Sequence, residues 1–170
     1  FSKNINEYDS RTNRINKEFA AKNLEIEKYL NREKNLILVL HHRWSVMLLS
    51  TDFPDKKNTI DYILKPTSDK INEEKRINLV RKSIISSINL ALEKKHKVIL
   101  VYPVPEHAFD APRSIYNKLN KFFKMSIKDE DISILSTNYD VYKKRNKLIF
   151  DTLDSIKSNK IYRVYPHKHF

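Results

Sequence analysis

Apolar positions along the chain fall into two kinds of pattern. The first has helical spacing. In residues 11–31, Ile15, Phe19, Ile26 and Leu30 are separated by charged residues, which predicts an amphipathic helix. Residues 72–95 predict a longer helix, with Ile77, Val80, Ile84, Ile88 and Ala91 as its buried stripe. Lys94 and Lys95 stand at its end, where cations complement the helix dipole. Asp110 is placed to cap a further helix with Pro112 in its first turn, and Ile115, Leu119 and Phe122 form its face. Thr137 followed three residues later by Asp140 resembles a capping box. It opens a helix to about residue 156, with Tyr142, Ile149 and Leu153 along one side.

The second pattern is the short continuous apolar run. Residues 35–40 (NLILVL), 97–102 (KVILVY) and 161–165 (IYRVY) have the length and composition of buried parallel strands. Residues 51–70 hold two prolines among many polar residues and read as a loop or lid, with a short strand at 62–64. The order is then helix, strand, helix, strand, helix, helix, strand. Such alternation predicts an α/β fold, a parallel sheet with helices on both faces. There is no internal repeat and no linker that divides the chain. Its 170 residues suffice for a single domain with a sizeable core.

Composition narrows the chemistry. The net charge is +12, which admits a polyanion or an anionic membrane as partner. The basic residues are interleaved with acids along the whole chain, so a solvated basic surface is the simpler reading and no nucleic acid is expected. The absence of cysteine excludes disulfides, thiolate nucleophiles and cysteine metal sites. No apolar run approaches the ~20 residues of a membrane helix, and no signal peptide is visible. The chain also contains no glycine, where roughly a dozen are expected at the usual ~7 %. That excludes a Walker loop, a dinucleotide fingerprint and a nucleophile elbow. Rich Lys, Asn and Ile usage points to AT-rich coding, which suppresses glycine codons. Together with a first residue that is Phe rather than Met, it raises the expectation of a fragment.

Ligands of open parallel sheets bind outside the carboxyl ends of the strands. The sequences there are HHRW, residues 41–44, and YPVPEHAFDAPR, residues 102–113. The prolines of the second fix the path of the chain as it leaves the sheet. Arg43 has two roles open to it: holding an oxyanion or carboxylate in its guanidinium fork, or pairing with Asp52 or Asp55 to shape the loop. Trp44 can wall a pocket or pack in the core. Glu106 and His107 are adjacent, and adjacent side chains rarely point the same way, which argues against an acid–base pair. His41 and His42 are poor co-ligands for the same reason, so no metal is expected there. His167 and His169 would share a face if they lay on a strand, a weak metal motif.

HHRW, VILVYPVPEHAFDAPR and LSTNYDVYKKRNKLIFDTLD, in this order and spacing, resemble the C-terminal SGNH domain of membrane-bound acyltransferase family three proteins, the O-antigen and polysaccharide O-acetylases. The resemblance covers roughly residues 25–166. Its matches are His41 to Trp44, Tyr102 to Pro112, and Ser136 to Asn146. It implies a three-layer α/β/α flavodoxin-like sheet and serine-based acyl transfer to a cell-surface glycan such as lipopolysaccharide. In such transfer a serine takes the acyl group, a histidine acts as base and oriented donors hold the oxyanion. The family's serine lies in a G-D-S block and its Asp and His in a D-x-x-H block. Neither block occurs in residues 1–170. The chain therefore reads as an incomplete SGNH-like domain, inactive alone, whose parent brings an acyl group from acyl-CoA through a membrane domain and finishes transfer on the periplasmic face. The domain itself is expected to bind no cofactor.

The resemblance carries an oxyanion or pocket role to Arg43. His42, Trp44, Glu106, Asp110 and Arg113 would line or brace the pocket. His96 stands where the family often has glycine before the strand, and so implies a different helix cap. Two alternatives keep other functions open. One is a free-standing SGNH carbohydrate esterase. The other is a non-catalytic glycan- or nucleic-acid-binding module.

Overall fold

The structure is a computed structural model that describes residues 5–51, 62–66, 71–105 and 138–169. Its elements are β1 (Ile5–Asp9), α1 (Lys17–Arg32), β2 (Ile37–Leu40), α2 (Trp44–Leu49), β3 (Tyr62–Pro66), α3 (Glu73–Glu93), β4 (Lys97–Val101), α4 (Tyr139–Asp154) and β5 (Ile161–Val164), followed by a 3-10 turn at Pro166–Lys168. The helix expected over 106–137, with its cap Asp110, lies outside the described residues.

Strands β2, β4 and β5 form a parallel sheet in the order β2-β4-β5. Leu38 stands beside Val98, and Val98 beside Ile161. This is the parallel sheet the apolar runs predict. Side chains alternate between its faces. Val98 and Leu100 are fully buried in one core with Val80 and Ile84 of α3 and Ile149 and Leu153 of α4. On the other face Ile37, Val39, Tyr162 and Val164 are exposed among the described residues. The expected burial of β2 on both faces is thus corrected: α3 and α4 pack on the same side, and alternate β2 residues face away from them.

The N-terminal region departs most from expectation. The helix begins at Lys17 and not near residue 11. The Asp9 carboxylate accepts the backbone N–H groups of Arg11 (2.9 Å) and Thr12 (2.7 Å), so this stretch turns rather than coils. Ile15, counted as part of the helical stripe, instead forms a bridge with Tyr8. Asn16 caps the helix, its side chain accepting the Phe19 N–H. Ile26 of the same stripe is exposed. The turn returns from β1, which pairs antiparallel with β3. The short strand expected in 62–64 is therefore the longer Tyr62–Pro66, and its partner precedes the first helix.

Buried Arg76 ties this ribbon to the rest. Its guanidinium donates to the carbonyls of Leu48 (2.7 Å) and Leu64 (3.0 Å) and pairs with Glu73 (2.6 Å). One charged group thereby satisfies the end of α2, the middle of β3 and the first turn of α3, which is how a buried guanidinium is tolerated.

With no glycine, the left-handed turn positions among the described residues fall to Asn13, Asn35, Ser50 and Lys95. After α3, Lys95 takes the positive φ of 66°. His96 is fully buried. Its Nδ1 accepts the Leu36 N–H at 3.2 Å and its Nε2 lies 3.0 Å from the Leu30 carbonyl. Both ring nitrogens thereby meet backbone groups of the neighbouring segment. The different cap implied by His96 is thus an imidazole joining the end of α1 to the start of β2.

Candidate functional site

Because β2 and β4 are parallel neighbours, the segments leaving their carboxyl ends emerge side by side. HHRW leaves β2, and Tyr102 to Pro105 leaves β4. Trp44 locks them together: its indole N–H donates to the Val101 carbonyl at 2.8 Å. Trp44 also opens α2, a six-residue helix too short to show a period in the sequence.

Helix α4 grips both segments. Its cap is Asn138, whose side chain accepts the Asp140 N–H at 2.8 Å. Thr137, the cap expected from the sequence, lies outside the described residues. Tyr142, Arg145 and Asn146 are three and four residues apart and so share one helix face. The Tyr142 hydroxyl donates to the Pro103 carbonyl at 2.5 Å. Arg145 donates to the Thr51 carbonyl (2.5 Å) and hydroxyl (3.1 Å), fixing the chain beyond α2. The Asn146 amide oxygen accepts the Ser45 hydroxyl at 2.5 Å, and its NH2 donates to the Tyr142 carbonyl at 2.8 Å.

These contacts enclose a cleft of about 300 Å³ lined by residues 41–45, Pro103 to Pro105, and Asn146. Trp44, Ser45 and Asn146 are buried beneath it, while His41, His42 and Arg43 are exposed at its mouth. The His42 ring is tilted against Trp44, with centroids 6.1 Å apart. Although exposed toward solvent, His42 loses hydration on its protein side. That loss holds its pKa below the ordinary histidine range, with the Arg43 backbone pulling the other way. Behind the cleft, buried Tyr102 donates to Asp154 (2.5 Å) and accepts from Arg163 (3.1 Å). Burial, followed by the Asp154 carboxylate, pushes the Tyr102 phenol far up, so it stays a neutral donor.

The cleft presents a guanidinium, a neutral imidazole and apolar proline walls. It can hold an anion or a developing oxyanion and pack against a ring. Ser45 is unsuited to nucleophilic attack: it is buried and its proton is given to an amide oxygen, which is no base. His42, Arg43 and Trp44 come together here, whereas Glu106, Asp110 and Arg113 lie outside the described residues, as do Asp52 and Asp55. Ser45 and Asn146 were missed as site residues, although Asn146 stands inside a quoted motif. The spacing of Tyr142, Arg145 and Asn146 was the available signal. His167 and His169 lie in and after a 3-10 turn, not on a strand, which removes the shared face behind the weak metal motif. Among the described residues, no group of three His, Asp or Glu side chains is placed to hold a metal.

No described helix is long and apolar enough to cross a membrane. A family model described as an SGNH domain fused to AT3 (acyltransferase 3) domains matches residues 5–170. No curated protein and no solved structure matches the chain. With nearly its whole length matched, the chain belongs to the family of SGNH domains that occur fused to AT3 acyltransferase domains.

Proposed function

We propose that this domain forms the oxyanion and acceptor wall of an O-acyltransferase that acetylates a cell-surface glycan. The observation that carries the reading is the placement of Arg43 on a cleft between the carboxyl ends of adjacent parallel strands. Its family supports an acyltransferase-associated role. Residues 1–170 contain no glycine, hence no G-D-S, and no D-x-x-H. In this proposal the serine nucleophile, its histidine base and the aspartate come from elsewhere in the parent. Acyl-CoA supplies the acyl group through the AT3 domain, and transfer is completed on the periplasmic side.

The serine oxygen attacks the acyl carbonyl and passes its proton to the histidine, which hands it to the departing heteroatom of the acyl donor as the acyl-serine ester forms. Arg43 faces the carbonyl oxygen as it becomes negative, and its fixed charge stabilises that state more than the ground state. The acceptor hydroxyl then attacks the acyl-serine and gives its proton to the histidine, which passes it to the serine oxygen as the acyl–serine bond breaks. The test is Arg43→Ala in the acyltransferase that carries this domain. Glycan O-acetylation, read by NMR of the purified polysaccharide, is expected to fall by about 10²-fold, as for loss of an oxyanion donor. An unchanged level removes the role of Arg43. The isolated chain is expected to hydrolyse no acyl ester; turnover blocked by a serine-directed fluorophosphonate overturns the proposal.

A further inference from the structure

A second concave surface lies on α4, one turn from the cleft. Tyr139 (half exposed), Phe150 and His167 form its floor, and Lys143, Lys144 and Lys147 form its rim. The groove has a volume of about 530 Å³. The rings are ordered by one another. Tyr139 stacks on Tyr142 with centroids 5.7 Å apart and planes 17° apart. His167 meets Phe150 edge to face at 5.2 Å. Tyr142 lies beneath the floor and is also the residue whose hydroxyl holds Pro103 in the cleft wall.

Among the described residues the charge lining these rings is one-sided: three lysines and no carboxylate. Lys143 pairs with Asp140 at 2.8 Å and Lys147 with Asp151 at 2.7 Å, both at the surface. Such exposed pairs hold their partners weakly and exchange them for a bound anion. Lys144 has no ion pair among the described residues. The Lys143 ammonium sits 5.0 Å from the Tyr139 ring centroid, at the junction of floor and rim.

Aromatic faces stack on the C–H faces of pyranose rings, and an ammonium rim selects a ring that carries a carboxylate. The groove has room for one or two sugar rings. Nucleic acid is less well matched: its backbone needs an extended track of cations, and the rim spans a little over one helical turn. We infer that this groove is a binding subsite for an acidic sugar residue of a glycan, beside the cleft and separate from it. The inference rests on the glycan-acetylating reading above for the class of ligand.

Calorimetric titration of the chain tests it, with a tetrasaccharide of alternating glucuronic acid and N-acetylglucosamine as probe. Binding is expected to weaken as salt is raised. It is expected to fall about tenfold or more in K144E/K147E and in Y139A, surface changes whose folding is checked by circular dichroism. The inference is overturned by no binding, by equal affinity for a neutral chitin tetrasaccharide, by equal or tighter binding of an oligothymidylate, or by variants that bind unchanged. Retained acidic-glycan binding with no acyl transfer by the AT3-fused protein leaves this subsite standing and removes the acyltransferase reading. Acyl transfer without acidic-glycan binding does the reverse.

Discussion

Ser45 and Asn146 are 101 residues apart in sequence, and the hydroxyl of the first lies 2.5 Å from the amide oxygen of the second. Both are buried, and Asn146 also donates to the Tyr142 carbonyl one turn back. The pair joins the segment leaving β2 to the helix that precedes β5. Asn146→Ala leaves the Ser45 hydroxyl buried without its partner, which is expected to cost about 1–3 kcal/mol. Ser45→Ala is expected to cost less, because its methyl group needs no partner. Urea unfolding of the two single variants and the double variant measures the coupling; strict additivity would show that the two residues do not act as a pair.

Trp44 joins the same segment to β4 through the Val101 carbonyl. Trp44→Phe keeps a large apolar ring and removes the N–H donor. A loss of about 1–3 kcal/mol is expected from the unpaired buried carbonyl and the smaller ring. Because α2 begins at Trp44, hydrogen exchange of the Met47 and Leu48 amides is expected to accelerate in the same variant. Unchanged protection would show that the indole bond does not hold α2 in place.

These two contacts show why the fold was more legible than the site. The strands and α3 announce themselves by short-range pattern: Val80, Ile84 and Ile88 repeat every four residues, and β4 is a continuous apolar run. The β1–β3 pairing joins residues more than fifty apart and leaves no local signal beyond a few alternating residues. The start of α1 was misread because Ile15 is apolar at the right spacing, while the Asp9 carboxylate decides the backbone path. At the site, HHRW and the prolines were visible as strand exits. The contribution of α4 was visible only as a motif whose purpose, three bonds to three separate segments, needs the fold.

The absence of glycine has a measurable consequence at the end of α3. Lys95 holds a left-handed conformation that costs a residue with a Cβ roughly 1–2 kcal/mol. Lys95→Gly removes that strain but adds chain entropy to the unfolded state, so a net gain of up to about 1 kcal/mol is expected. At the next position, His96→Ala removes both ring contacts and leaves a cavity between α1 and β4. A loss of about 2–4 kcal/mol is expected from the buried Leu36 N–H, the Leu30 carbonyl and the lost volume. Thermal unfolding of the two variants should move in opposite directions. A destabilised Lys95→Gly protein would show that the left-handed turn carries little strain.

The two histidines with depressed pKa values set a pH window for stability. Burial lowers both, with Lys168 adding to the effect at His167. His167 Nδ1 is also buried with no hydrogen-bond partner among the described residues, so a proton there would have nowhere to donate. Above the ordinary histidine pKa of about 6.5, both rings are neutral in the folded and unfolded chains and contribute no pH dependence. As pH falls below that value, the unfolded chain binds protons first and the folded state loses stability. The loss levels off once the folded pKa values are passed. Asp9 and Glu18, whose pKa values are lowered by Thr12 and Lys22 respectively, add a separate loss only in the more acidic carboxylate range. Urea midpoints followed from pH 7 to about pH 5 are therefore expected to fall in the parent chain and to fall less in His42→Gln/His167→Gln. Equal slopes in the two proteins would show that neither ring is held neutral by the fold.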